Sequence, residues 1–447
     1  MASLAESQPF SAREQSPAAP PLVVDLDRTL VKTDLLLESI VALLRQRPWL
    51  VFALPIWLAG GLPHFKREVA RRVSLDVSLL PYREKLLAYL KTQRIQGRTI
   101  ALATTGDSRI ARQVADHLGL FDLIIASSGM AGNAGVRDRP APVDRPFEKG
   151  PPVAWEVVAR EYVRALRLRH WLKNLLVFVP LLAAHRVNDF ALVGRLLLSF
   201  LAFGCVASGG YLINDLLDLQ ADRRHPSKRL RPFADGDLPL SYALVTIPAL
   251  LSLGFLIGKS LSSLFLAALL VYFGLNLAYA LVLKRIVVLD VIVLASLYGL
   301  RILAGSAVVS IWPSHWLLAF STFLFFSLAL VKRYSELVVM RRLDGDRAKA
   351  RGYEDGDGEL VAAMGVASGY LAVLVLALYI NSETAQILYR RNELIWLLCP
   401  LLLYWISHVW LTAHRGRMPD DPVMFAMNNR TSRILIALMT AMIVLAL

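Results

Sequence analysis

From about residue 172 onward the chain is a succession of apolar runs separated by short polar loops. Nine runs are legible, at 172–189, 190–213, 240–258, 263–283, 287–309, 315–331, 361–380, 394–413 and 432–447. A helix crosses a bilayer core with about 20 apolar residues, whereas a helix on a water-soluble domain alternates apolar and polar faces. This pattern therefore predicts an all-α polytopic membrane domain with nine transmembrane helices and its two ends on opposite sides. Charged residues make up 19% of the chain, against about 25% in soluble domains. That shortfall excludes an ordinary soluble enzyme, and 56% hydrophobic residues exclude disorder over most of the length. Cys205 and Cys399 both lie inside apolar runs, so no disulfide framework or zinc site is expected from them.

The formal net charge of +14 would suggest nucleic acid in a soluble protein. Here the Lys and Arg residues segregate between alternate loops, 17 on one side and 4 on the other. The rich side holds Arg223, Arg224, Lys228, Arg229 and Arg231, then Lys284 and Arg285, then the series from Lys332 to Arg351, then Arg415, Arg417 and Arg430; the poor side holds Arg186, Lys259, Arg390 and Arg391. Positive loops stay in the cytoplasm. The expected location is the plasma (inner) membrane, with a cytoplasmic N-terminus, cytoplasmic active-site loops and no nucleic-acid partner.

The chain divides into a disordered tail at 1–20, a soluble α/β domain at 21–128, a linker at 129–163 and the membrane domain at 164–447. The tail is rich in Ala, Ser, Pro, Glu and Gln and lacks the apolar core of a signal peptide. In the second region short apolar runs end at Asp25, Ala103 and Ala126, with helical patterns between them, so three strands are expected.

The stretch 214–232 reads NDLLDLQADRRHPSKRLRP. Asp215, Asp218 and Asp222, spaced by three and four, would share one helix face beside Asn214. Aligned carboxylates repel unless a cation neutralises them, and oxygen-only ligands suit Mg²⁺ together with substrate phosphates. Five basic residues follow at once, namely Arg223, Arg224, Lys228, Arg229 and Arg231. Acids for a metal beside cations for phosphate describe a diphosphate site.

This stretch resembles the UbiA superfamily of intramembrane transferases, nine-helix proteins whose N-D-x-x-D-x-x-x-D motif binds Mg²⁺-diphosphate. The segment 167–174, RLRHWLKN, is similar to the family's opening segment, with Leu168 and His170 in place of its usual Pro and Gln. Prenyltransferases of the superfamily carry a second Asp-rich motif after the fourth span. In that region Asp290 is the only acid. The chain instead resembles the decaprenyl-phosphate phosphoribosyltransferase branch, through 222–232, Tyr279 with Lys284, Arg301 in RILAG, and Lys332 and Arg333 in KRYSEL. The resemblance implies transfer of 5-phosphoribose from phosphoribosyl pyrophosphate to a polyprenyl phosphate, with pyrophosphate released. It implies that Asp215, Asp218 and Asp222 hold Mg²⁺ and that Asn214 orients a ligand. The five basic residues are candidates for the donor's phosphates. Lys173, beside Asn174, with Lys284, Lys332 and Arg333, are candidates for the lipid phosphate. Asp290 and Arg301 lie inside the fifth span, where charges face a cavity or pair with each other. A prenyltransferase using a prenyl diphosphate lipid is the alternative, and a non-catalytic scaffold or transporter is the second. A homo-oligomer is compatible with the sequence.

The segment 22–30, LVVDLDRTL, runs an apolar strand into D-x-D-x-T and resembles the haloacid-dehalogenase (HAD) phosphatases. The resemblance assigns Asp25 as nucleophile, Asp27 as acid/base, and Thr104 and Thr105 to the phosphoryl group. Arg28 stands where Gly is usual, Lys149 is the nearby candidate for the third-motif Lys, and no acidic pair follows the third strand. A degenerate domain is expected. The apolar run 49–62, with Pro55 inside it and Pro48 and Pro63 at its edges, reads as a buried helical cap or as a membrane contact.

Overall fold

The structure is a computed structural model that describes residues 21–104, 106, 108–126, 155–225, 228–343, 352–354, 356–419 and 421–446. The expected tail, most of the linker, Thr105, Asp107, Lys149 and Ser227 lie outside the described residues. The chain forms two compact units, and they do not follow sequence order. One comprises Met1–Tyr162 with Asp218–Tyr242; the other comprises Val163–Leu217 with Ala243–Leu447.

The first unit is built on three parallel strands in the order β1 (Leu22–Asp25), β2 (Ile100–Thr104), β3 (Leu123–Ala126), with Val24 opposite Leu102 and Leu102 opposite Ile124. Nearly continuous apolar strands suit a parallel sheet covered on both faces. Val24, Leu26, Leu30, Leu90, Ile100, Leu102 and Val114 are completely buried. The helix Leu35–Gln46 starts where the Asp34 carboxylate accepts the Leu36 and Leu37 N–H groups, which satisfies two otherwise orphaned donors. The three strands coincide with the apolar runs of the sequence.

The segment Asp218–Tyr242 is held in this unit by ion pairs. The Arg223 guanidinium donates to both Glu38 oxygens, at 3.0 and 2.5 Å, and through Nε to the Ala234 carbonyl at 2.9 Å. Both side chains are nearly inaccessible, and the Thr33 hydroxyl also donates to Glu38 at 2.8 Å. Arg224 pairs with Asp76 at 2.8 Å, and Lys32 reaches Asp235 and Asp237 at 3.2 and 3.0 Å. Gly236 has φ +78°, and a Cβ there would sit 2.9 Å from the Lys32 Cβ, so only glycine lets the two segments approach this closely.

The second unit is helical. Among the described residues seven helices are long and apolar enough to cross a membrane: Phe190–Leu217, Leu240–Leu261, Ser263–Leu281, Leu289–Val309, His315–Val339, Asp357–Ile380 and Asn392–His414. A bent pair, Pro422–Asn428 and Arg430–Ala446 at 80°, makes an eighth if counted as one broken span. These helices and the apolar composition make the chain an integral, multi-pass membrane protein. The expected count was nine. The run 172–189 forms no long helix; it is a 3-10 helix, Leu168–Phe178, followed by the short helix Val179–Ala183. Pro180 opens that second piece, and its missing N–H and fixed φ suit a helix start better than a helix interior. Close helix contacts in the rest of the unit use small residues. A Cβ on Gly305 would lie 2.0 Å from the Val177 carbonyl oxygen.

Glu38→Gln leaves the Arg223 charge buried without its counter-ion, which costs about 3–5 kcal/mol. Hydrogen–deuterium exchange on the detergent-solubilised full chain is the measurement. Amides of 218–237 are expected to exchange faster in the variant; wild-type protection there would contradict the energetic importance of the pair.

Candidate functional site

The acidic motif does not sit on one uninterrupted helix. Asn214 and Asp215 lie in the last turn of Phe190–Leu217, a new helix begins at Leu219, and Asp218 stands between them at φ −94°, ψ 7°. Asp competes with the helix through its own short polar side chain, so a break at this residue is physically reasonable. Asp215 is 3% exposed and accepts from Arg167 Nη2 at 2.5 Å. Arg167 holds left-handed backbone, φ 53°, and its guanidinium lies over the Tyr211 ring at 5.3 Å. In the other unit, buried Asp222 accepts from Arg231 at 2.6 Å and Asp218 faces Arg45 at 3.7 Å. Each acid is thus matched by an arginine. Among the described residues no three His, Cys, Asp or Glu side chains converge as a metal cage. Mg²⁺ needs only one or two carboxylates when substrate phosphates complete its shell, so the oxygen donor set still fits that ion.

Of the five basic candidates, Arg223, Arg224 and Arg231 are therefore already engaged by carboxylates of their own unit, while Arg229 is exposed.

Among the described residues, three further buried polar clusters of the membrane unit carry charge. In the first, Lys173 Nζ pairs with Asp421, His170 Nδ1 stands 3.6 Å from the same carboxylate, and Tyr298 presents its ring to Lys173 at 5.5 Å. In the second, Arg301 Nε donates to the Asn174 side-chain oxygen at 3.0 Å, Nη2 to the Tyr272 hydroxyl at 2.8 Å and Nη1 to the Leu297 carbonyl. Asn174 is completely buried, and its Nδ2 has no acceptor among the described residues. In the third, Arg333 pairs with Asp290 and Glu336, and the Tyr353 hydroxyl donates to Asp290 at 2.8 Å. The suggested mutual pair of Asp290 with Arg301 is absent. Eleven residues apart on one helix, they stand about 16 Å apart along its axis. Tyr279 lies near the end of Ser263–Leu281, and Lys284 lies in the 3-10 turn Leu283–Arg285 that follows. Asp421, Tyr272, Tyr298 and Tyr353 were missed from sequence. Asp421 alone offered a signal, as an acid capping the helix that starts at Pro422.

The α/β unit contains a cavity of about 140 Å³ lined by Asp27, Asp34, Ser39, Lys66, Thr104 and Gly106. Asp27 Oδ1 accepts the Leu35 N–H at 3.0 Å, and Thr104 Oγ1 accepts the Gly106 N–H at 2.9 Å. Burial pushes the Asp27 carboxyl above its usual pKa, with Asp34 and Asp25 adding to the rise, while the Leu35 N–H and Lys66 oppose it. Arg28 has φ 60°, a backbone conformation that glycine enters most easily. Asp25 is exposed at the end of β1. Lys66 lines this cavity, while Lys149 lies outside the described residues.

Comparison with known proteins places these features. The UbiA prenyltransferase family matches residues 175–446. A Sinorhizobium fredii protein named "uncharacterized protein y4nM" is 32% identical, covering 96% of this chain and 91% of its own length. The nodulation protein NoeC of Azorhizobium caulinodans is 39% identical over 62% of this chain and 89% of its own. A decaprenyl-phosphate phosphoribosyltransferase of Mycobacterium tuberculosis is 35% identical over 40% of this chain, which spans 61% of that relative's length. With the family matched over most of its length and across its apolar helices, this chain belongs to the UbiA prenyltransferase family.

Proposed function

We propose that the protein transfers 5-phosphoribose from phosphoribosyl pyrophosphate to a polyprenyl phosphate. The observation that carries this reading is the state of Asp290. It is the one acid where a second metal-binding motif would stand, and it is fully buried against Arg333 and Tyr353. That commitment disfavours a two-motif prenyl diphosphate site. The partial likeness to decaprenyl-phosphate phosphoribosyltransferases points the same way.

In this reading Asp215, Asp218 and Asp222 hold Mg²⁺, with Asn214 orienting a ligand. When bound, that ion neutralises negative charge on the departing pyrophosphate. The basic residues after the motif, Arg223, Arg224, Lys228, Arg229 and Arg231, are the candidates for the donor's phosphates, with Arg229 exposed. Lys173, Lys284 and Lys332 take the lipid phosphate, and Asn174 Nδ2, which has no acceptor among the described residues, donates to one of its oxygens. The bond from ribose C1 to pyrophosphate breaks as a lipid phosphate oxygen bonds to C1. The acceptor is already anionic, so the chain need supply no strong base; positioning and fixed charge carry the rate. The 21–128 segment reads as a HAD-like domain of reduced activity, and the active-site loops read as cytoplasmic at the plasma membrane.

Membranes containing the protein, given labelled phosphoribosyl pyrophosphate and a polyprenyl phosphate, are expected to yield a lipid-soluble labelled product. Labelled prenyl diphosphate passing its lipid to an acceptor would favour the prenyltransferase reading instead. Asp215→Asn and Asp218→Asn should each lower transfer by a hundredfold or more, in keeping with several kcal/mol of lost charge stabilisation. Near-normal rates at saturating Mg²⁺ would remove the metal assignment.

Orientation is checked by Leu230→Cys in a cysteine-free background. An impermeant thiol reagent should label it in inverted vesicles and spare it in intact cells.

Phosphatase turnover by the full chain on sugar phosphates is expected to sit near background. Robust turnover lost in Asp25→Asn would show a working HAD site.

Asp27 titrates higher in the fold than when unfolded. Its contribution to stability is therefore complete below its unfolded pKa and is lost as pH rises through its folded pKa. Asp27→Asn mimics the neutral form and should raise the melting temperature of the α/β unit at pH 7 while flattening that loss.

A further inference from the structure

We infer that the α/β unit docks on the membrane surface through residues 48–62. From Pro48 to Phe65 the sequence has no Asp, Glu, Lys or Arg. Trp49, Phe52, Ile56, Leu58 and Leu62 are 65%, 80%, 71%, 53% and 54% exposed. The opposite side of the segment is fixed to the domain, with Leu50, Leu54 and Trp57 packed against buried Leu43, Phe65 and Val69. The segment is two short helical pieces, Pro48–Phe52 and Leu54–Ala59, with a proline near each start, and Gly61 at φ +92° then turns the chain into Leu62–Ala70. This is a shaped apolar platform with a glued underside and an uncovered top. An uncovered patch of such side chains on a domain in water marks an interaction surface.

Three features select a bilayer as the occupant. The same chain spans a membrane, so its own bilayer is the apolar phase always within reach. Trp, Phe, Leu and Ile on one face are the composition of segments that lie in the interface plane. Exposed Arg47, Arg67 and Arg71 flank the platform in sequence, and such cations are drawn to anionic headgroups. Lys66 and Val69 of Leu62–Ala70 line the Asp27 cavity, so docking would hold that cavity close to lipid headgroups.

The test uses the full chain with Cys205 and Cys399 replaced by Ser, reconstituted in vesicles of phosphatidylcholine and phosphatidylglycerol. Single cysteines at Phe52→Cys and Ile56→Cys carry an environment-sensitive fluorophore; Ile95→Cys, at an 87% exposed position, is the aqueous control. Labels at 52 and 56 should emit to the blue, be quenched by lipid-borne nitroxide at least about threefold more than the control, and resist aqueous iodide. Arg67→Glu with Arg71→Glu should weaken the lipid quenching. Iodide quenching equal to the control at both positions would overturn the proposal. So would iodide protection without lipid quenching, which would mean that a protein covers the platform; energy transfer between labelled copies would identify a second copy. Two probe positions, both at exposed side chains, keep the result independent of any one substitution and of the transferase reading.

Discussion

A cation inside a bilayer has no water to fall back on, so the protein must solvate it with fixed groups. Arg301 and Arg333 show two solutions. Arg301 is surrounded by neutral acceptors, the Asn174 amide, the Tyr272 hydroxyl and a backbone carbonyl, with the Tyr272 ring 4.8 Å from the guanidinium. Arg333 uses full charges, Asp290 and Glu336. The first arrangement keeps net positive charge in the core of the unit, whereas the second outweighs one cation with two carboxylates. An anionic headgroup would therefore sense the Arg301 side of the unit more strongly than the Arg333 side. The helices that carry these groups are fixed by them: Leu289–Val309 is tied through Arg301 to the 168–178 segment and to Ser263–Leu281, and through Asp290 to His315–Leu343.

The α/β unit handles charge differently. Its ion pairs lie at or near water, where most such pairs contribute little. The pair of Glu38 with Arg223 is the exception, because both side chains are buried and the geometry is bidentate. The basic residues after the second apolar run thus serve two ends. Their abundance sets the formal charge of this loop, and the side chains of Arg223 and Arg224 lock the segment into a folded unit.

Much of this was legible in sequence because it rests on local pattern. Apolar runs near 20 residues gave the long helices, and short apolar runs ending at Asp25, Ala103 and Ala126 gave the strands. The run 172–189 misled because hydropathy alone does not register that Lys173 and Asn174 are needed as buried polar groups, nor that Pro180 starts a new helix. Spacing placed Asp215, Asp218 and Asp222 on one face, but it assumed a continuous helix, and Asp218 interrupts it. Partners far apart in the chain had no local signature. Asp421 meets Lys173 across 248 residues, and Tyr353 meets Asp290 across 63. Arg223 pairs with Glu38 across 185 residues, and nothing near it in sequence announces that partner.

The Glu38–Arg223 contact also has a temporal meaning, since its two ends are 185 residues apart. A ribosome delivers the chain from the N-terminus, and domains fold largely as they emerge. The strands and helices up to residue 126 are complete well before residue 223 is made, and Phe190–Leu217 must enter the bilayer in between. Until then the nascent α/β unit exposes Glu38 and Thr33 where Arg223 will later sit. Its final closure therefore waits until the ribosome has delivered residue 223, so the last part of this unit to form is one made after a long apolar helix of the other.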